Sequence, residues 1–92
     1  MDPNASYFRH VDGGYYRWIA DARHSEDLSP VVVYEHLWPF ERGIWVRPAG
    51  EWAGRFSPVG VDEVVAALRG DRAQAQAAVT TAKALRRAAR GT

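Results

Sequence analysis

Val31–Trp38 reads VVVYEHLW, eight residues in which β-branched and aromatic side chains hold the majority. That composition favours a strand over a helix. Pro30 stands just before the run and Pro39 just after it, so its ends are marked by residues that cannot donate to a sheet ladder. Working upstream, His24–Pro30 is a polar connection, and Tyr15 to about Arg23 (YYRWIADAR) has the same strand character. Before it, Asp12-Gly13-Gly14 can supply the positive φ angles of a tight hairpin turn, and Tyr7–Val11 forms the first strand. Downstream, Pro39 and Gly43 bracket another turn, Ile44–Arg47 is a fourth strand, and Pro48 stops it. Links this short favour consecutive antiparallel pairing. The expected fold is mainly β, a small antiparallel barrel or roll of four to five strands, followed by a C-terminal α-helical extension.

Side-chain alternation assigns faces once a register is assumed. With Ala22 opposite Val32 and Trp38 opposite Ile44, the core face holds Tyr16, Trp18, Ala20, Ala22, Val32, Tyr34, Trp38, Ile44 and Val46, joined by Tyr7, Arg9 and Val11. The other face then holds Arg17, Ile19, Asp21, Val33, Glu35, Leu37, Trp45 and Arg47. In this register Glu35 faces Arg47 in a cross-strand pair, and His10 and His36 lie on opposite faces.

The second half reads as helix. Asp62 is a candidate N-cap for a short helix through Val64, Val65 and Leu68 that ends at Gly70, and Asp71 for a second one through about Arg90. The second helix is rich in alanine, which favours helix strongly. Its apolar stripe, Ala75, Ala78 or Val79, Ala82, Leu85 and Ala89, is thin, so it is expected to pack closely against the roll or against a second copy. The expected division is residues 1–58 as the roll and 59–92 as the helical extension, through which a homodimer could form.

The 92 residues suit one domain. Four Trp, four Tyr and three Phe all fall within the first 56 residues, and each buried ring removes roughly 150–250 Å² from water. There is no cysteine, which excludes disulfides and thiolate metal sites. The polar start MDPNASYF lacks a signal peptide's apolar segment, and no stretch approaches the ~20 apolar residues of a membrane span. A cytoplasmic protein with no membrane partner is the expectation. Charge is uneven: residues 1–68 hold six Arg against ten acids, a net −4, and residues 69–92 hold six Lys or Arg against one acid, a net +5.

Tyr7-Phe8-Arg9-His10 followed by Gly13-Gly14-Tyr15-Tyr16 resembles the opening of a bacterial family known as domain of unknown function 1653. The match continues in order through Ala22-Arg23-His24-Ser25-Glu26, Val32-Val33-Tyr34 and Trp45-Val46-Arg47-Pro48, and Trp52 falls where that family has an aromatic. The resemblance covers about residues 7–56. It implies a small SH3-like β-roll and implies no activity. The helical tail after Pro58 departs from the usual family ending.

Three groups of residues could carry function. Arg17, Trp45 and Arg47 would form a cationic, aromatic platform, suited to an anionic or extended ligand through bidentate guanidinium contacts and stacking. His24, Ser25 and Glu26 form a loop cluster that could touch a ligand. As a hydrolase triad it is disfavoured, because triad members meet through the fold rather than along the chain; local side-chain bonding to the turn backbone is the simpler reading. Lys83, Arg86, Arg87 and Arg90 could contact nucleic-acid phosphates, although the acidic first half argues against that. No histidine spacing suits a metal, Gly13-Gly14 is no phosphate loop, and no cofactor is expected. The reading favoured by the residues is a non-catalytic binding module for a peptide, a protein or a small anion.

Overall fold

The computed structural model of the chain describes residues 2–90. Five strands, β1 (Ser6–His10), β2 (Tyr15–Arg23), β3 (Pro30–Trp38), β4 (Gly43–Pro48) and β5 (Phe56–Val59), form one antiparallel sheet in the order β4-β3-β2-β1-β5. A one-turn helix α1 (Ala49–Trp52) joins the two edge strands, and α2 (Val61–Leu68) and α3 (Arg72–Arg90) follow. The chain is therefore mainly β with a helical extension. The sheet is open but curled: Arg47 on one edge strand lies 5.3 Å from the ring centre of Phe56 on the other. Among the described residues no helix is long and apolar enough to cross a membrane.

Cross-strand partners share a face. The pairs His10↔Phe56, Phe8↔Tyr16, Tyr16↔His36, Trp18↔Tyr34 and Tyr34↔Trp45 line the inside of the curl. There Tyr16, Tyr34 and Phe56 are buried, with Phe8, Phe40 and Trp52 packed on them. The outer face carries a second cluster, Tyr7, Leu37 and Val64, with Tyr15, Trp38, Val59 and Val61 around it. Val64 of α2 is 0% exposed, and full burial of a valine contributes about 1.5–3 kcal/mol. The Tyr15 hydroxyl donates to the Glu63 carboxylate at 2.8 Å, so α2 is held on the outer face by both apolar and polar contact.

The observed register departs from the alternation expected above. Ala22 pairs with Val31, and Ile44 with Glu35. Trp45 and Arg47 thus turn to the inner face with Tyr16 and Tyr34, while Ile44 and Val46 turn outward, 65% and 59% exposed. Tyr7 sits opposite Arg17 on the outer face, and Arg9 is exposed there rather than directed inward. His10 and His36 share the inner face, both within ring contact of Tyr16. The pair that Glu35 makes is with Arg17, at 3.0 Å, not with Arg47. Two causes act together. Irregularities in the β2–β3 ladder, at Tyr15/Tyr16 and at Trp18/Ala20, each insert an unpaired residue, and such a bulge inverts the parity beyond it. The β3–β4 link also runs from the His36↔Gly43 pair through all of residues 37–42, which lets Phe40 fold back to 5.0 Å from His36.

Two elements escape a pattern reading. β5 is only FSPV, and its proline is tolerated because the strand lies at a sheet edge. α1, AGEW, is too short for periodicity. The cap of α2 is Gly60, with Asp62 inside the first turn, where its charge suits the helix dipole. Asp71 does cap α3, its Oδ1 accepting the Gln74 N–H at 2.9 Å. Asp71→Ala is expected to lower stability by about 1 kcal/mol, read as a shifted urea midpoint with an unchanged slope; an unshifted midpoint would show that the cap contributes nothing.

Candidate functional site

The β1–β2 turn is where the sheet receives α3. Gly13 there has φ +107°, a conformation side chains resist. A Cβ on Gly14 would lie 2.6 Å from a ring atom of Phe40 and 3.0 Å from the Tyr16 hydroxyl, so the tight packing of Phe40 over Tyr16 needs glycine at that point. α3 crosses this turn with Ala75, Gln76, Val79, Ala82 and Arg86 as its less exposed positions. Only Val79 among them is buried. Leu85, expected in the packing stripe, is 67% exposed instead. Polar anchors compensate for the thin apolar contact. Arg86 donates from Nε and Nη2 to the two oxygens of Asp12 at 3.1 and 3.0 Å, and Arg72 donates to the Pro39 carbonyl at 2.9 Å.

Between α3 and the inner face lies a pocket of about 300 Å³. His10, Tyr16 and Phe40 form its floor, Arg47 and Arg55 come from the sheet side, and Lys83, Arg86 and Arg87 come from the helix. Five cations therefore border it against one carboxylate, Asp12. Arg86 is committed to Asp12. Arg47 stacks over Tyr34 and Phe56. Arg47, Arg55, Lys83 and Arg87 have no carboxylate within ion-pair distance among the described residues.

The charge states follow from position. The Arg86 hydrogen bonds hold the Asp12 carboxyl below its ordinary range against the opposing effect of burial, and Asp12 raises Arg86 in turn. Burial pushes His10 down to about 4; Asp12 pulls it up, and Arg47, Arg86 and Arg55 push it further down. Its Nδ1 accepts the Asp12 N–H at 3.0 Å, a bond that the unprotonated nitrogen makes. Burial chiefly raises the Tyr16 phenol, which stays protonated at neutral pH. His36 is lowered by burial and then by Arg47. Neutral rings thus line the floor and permanent cations the walls, an arrangement suited to holding an anion.

The structure brings together residues that the sequence suggested separately. Arg47, from the aromatic platform, and Lys83, Arg86 and Arg87, from the basic helix, border the same pocket. The side chain of Arg90 lies outside the described residues. Trp45 stands on the same sheet face, stacked on His36 with ring centres 5.4 Å apart. Arg17 lies on the opposite face, paired with Glu35. His24, Ser25 and Glu26 are exposed at the far tip of the β2–β3 hairpin, roughly 25 Å along the strand from Tyr16. The Nδ1 of His24 accepts the Glu26 N–H at 3.2 Å, which makes the cluster a backbone-bonded turn. Sequence reasoning missed His10, Asp12, Tyr16, Phe40 and Arg55 as pocket residues; only the presence of α3 over the β1–β2 turn joins them. No group of three or more His, Cys, Asp or Glu residues converges as metal ligands among the described residues.

A protein-family model described as Protein of unknown function (DUF1653) matches residues 6–65. That span includes all five strands and most of α2, and α3 lies beyond it. No curated protein and no solved structure matches the chain.

Proposed function

The chain belongs to the DUF1653 family, and from that premise we propose that it is a non-catalytic cytoplasmic binding module that takes a small anionic ligand between its sheet and α3. In this reading residues 1–58 are the roll and residues 59–92 the extension that closes over it. The observation that carries the proposal is the unbalanced charge of the pocket: five cations and one carboxylate converge on it, and four of the cations have no carboxylate partner among the described residues. Like charges held together destabilise a fold, so a bound anion offsets the mutual repulsion of these cations. Guanidinium groups from β4, Arg55 and α3 approach from different sides, which suits a phosphate-like group with several oxygens.

Calorimetric titration with pyrophosphate and inorganic phosphate at low salt tests this. Each charge-assisted contact is worth about 1.5–3 kcal/mol, so Arg47→Gln is expected to weaken binding roughly 10- to 100-fold. Lys83→Gln and Arg87→Gln, both at exposed positions of α3, are expected to weaken it without changing the fold. Affinity should also fall with added salt. Wild-type protein with no detectable binding, or equal affinity in all three variants, would remove the proposal.

A further inference from the structure

The floor of the cationic pocket holds two hydrogen-bond donors that the fold itself does not use. Tyr16 is 5% exposed and the His10 side chain 6%. Nδ1 of His10 accepts the Asp12 N–H, so the proton of the neutral ring is on Nε2, which can only donate. Neither that N–H nor the Tyr16 hydroxyl has a hydrogen-bond partner among the described residues. Yet none of the side-chain nitrogens and oxygens described is both sealed from solvent and unbonded. Both donors therefore open to a space that solvent reaches, and both rings line the pocket. Polar groups this deep are ordinarily paired, so two left open at one cavity mark the place of an acceptor.

Both walls meet this floor. On the helix side, His10 Nδ1 lies 3.4 Å from Asp12 Oδ2, the oxygen that Arg86 Nη2 holds at 3.0 Å. The Tyr16 hydroxyl lies at the same turn, 3.0 Å from where a Gly14 Cβ would stand. On the sheet side, His10, Tyr16 and the Arg47 guanidinium surround one ring, Phe56, at 4.8, 5.1 and 5.3 Å from its centre. The charges of Arg47, Arg86 and Arg55 act on His10, and that of Arg47 acts on Tyr16. Donors thus reach the cavity from three directions: neutral ones from the floor, cationic ones from the sheet and from α3. A carboxylate offers two oxygens in one plane. A phosphodiester offers two free oxygens, its other two being bonded to carbon. A terminal phosphoryl group offers three, spread tetrahedrally, and carries a charge of about −1.5 to −2 at neutral pH, which suits four uncommitted cations better than the single charge of a diester.

Resting on the anion-site reading above, we infer that the ligand is a phosphate monoester that enters phosphate first, its terminal oxygens taking the His10 Nε2–H and the Tyr16 O–H at the floor and the cations at the walls, with its ester oxygen toward the mouth. Asp12 does not oppose the phosphate directly, because both of its oxygens accept from Arg86. The cavity of about 300 Å³ is on the order of ten water molecules in size, more than one phosphoryl group fills, which leaves room for the first atoms of the organic part. The cations supply attraction, and the two neutral donors decide which anion is held.

The test compares methyl phosphate, dimethyl phosphate and acetate by calorimetry, with the His10 imidazole followed by NMR. Methyl phosphate is expected to bind about 10-fold or more tightly than either of the others, the effect of at least one further bond to a charged group. Tyr16→Phe keeps the ring and should keep the urea midpoint close to that of the wild type. It is expected to weaken methyl phosphate roughly 10-fold and to leave dimethyl phosphate unaffected, so that most of the preference disappears; a purely structural role of Tyr16 would lower both ligands alike. In the wild type, methyl phosphate should move the His10 Nε2 proton downfield and slow its exchange with water. Equal affinity for the monoester and the diester, an unchanged methyl phosphate affinity in Tyr16→Phe, or an unmoved His10 Nε2 proton overturns the assignment, while the anion site stands as long as Arg47→Gln weakens pyrophosphate binding. Failure of inorganic phosphate, pyrophosphate and methyl phosphate alike removes the anion site itself.

Discussion

Tyr16→Ala is expected to cost about 3–5 kcal/mol of folding stability, the range for deleting a large buried aromatic. Tyr16 is 5% exposed and is the hub of the inner face. Its ring lies 5.1 Å from Phe56, 5.1 Å from His36, 5.5 Å from Tyr34, 5.9 Å from Phe40 and 6.2 Å from His10. Those five neighbours come from β1, β3, the β3–β4 link and β5, so the void left by alanine cannot close by moving one element. A chain of this size has a total stability of roughly 5–14 kcal/mol, and the loss is a large share of it. Tyr16→Phe keeps the ring and removes a hydroxyl that makes no hydrogen bond within the described residues; it should cost less than about 1 kcal/mol. Urea denaturation of the two variants separates ring packing from hydroxyl chemistry. An alanine variant within 1 kcal/mol of wild type would show that the inner cluster does not hold the curl together.

Acid is expected to destabilise the protein well above the pH at which carboxylates titrate. Burial lowers His10 from 6.5 to about 4 in the folded chain. Between those values the unfolded chain binds a proton that the native chain does not, so stability falls as pH falls. Across the full window His10 alone contributes a loss of about 3 kcal/mol, at roughly 1.4 kcal/mol per pH unit. His36, lowered by burial in the same direction, adds to the slope. Asp12 acts in a different window. Its carboxyl is held below the ordinary 3.8 by Arg86, so its contribution is present above that value and is lost only as pH falls through the lower folded value. His10→Asn keeps an acceptor near the position of Nδ1 and removes the titrating group. Stability curves of the variant and the wild type should therefore converge near pH 4 relative to their separation at pH 7. Parallel curves from pH 7 to 4 would show that His10 is not held neutral by its site.

The expected acid sensitivity and the cationic pocket share one origin. His10, Asp12 and Arg86 meet only because α3 returns across the β1–β2 turn, joining residues 74 positions apart. Nothing local in either segment announces that contact. Asp12 reads from the sequence as a turn residue, which it is, and Arg86 as one cation among several on a helix. Their pairing organises one wall of the pocket and places Lys83 and Arg87 beside Arg47 and Arg55. The two separate sequence suggestions, an aromatic–arginine face and a basic helix, thereby become parts of one concavity.

Local chemistry determined a good deal by itself. β2 and β3 are legible because β-branched and aromatic residues fill them and proline, glycine and polar runs bound them; the hairpin at Asp12-Gly13-Gly14 and the cap at Asp71 follow from turn and cap preferences that act over a few residues. The segments shared with DUF1653 proteins lie in the same legible half. Tertiary structure alone decided which face each strand presents, that FSPV pairs with β1, and that α3 closes the pocket. The physical reason is that strand alternation has a period of two, so a single unpaired residue near Ile19 or a longer β3–β4 link exchanges inside for outside. Whether such a residue is accommodated depends on the packing of Phe40, Trp45 and Arg47 against rings from distant strands, an energy that exists only once the sheet has curled.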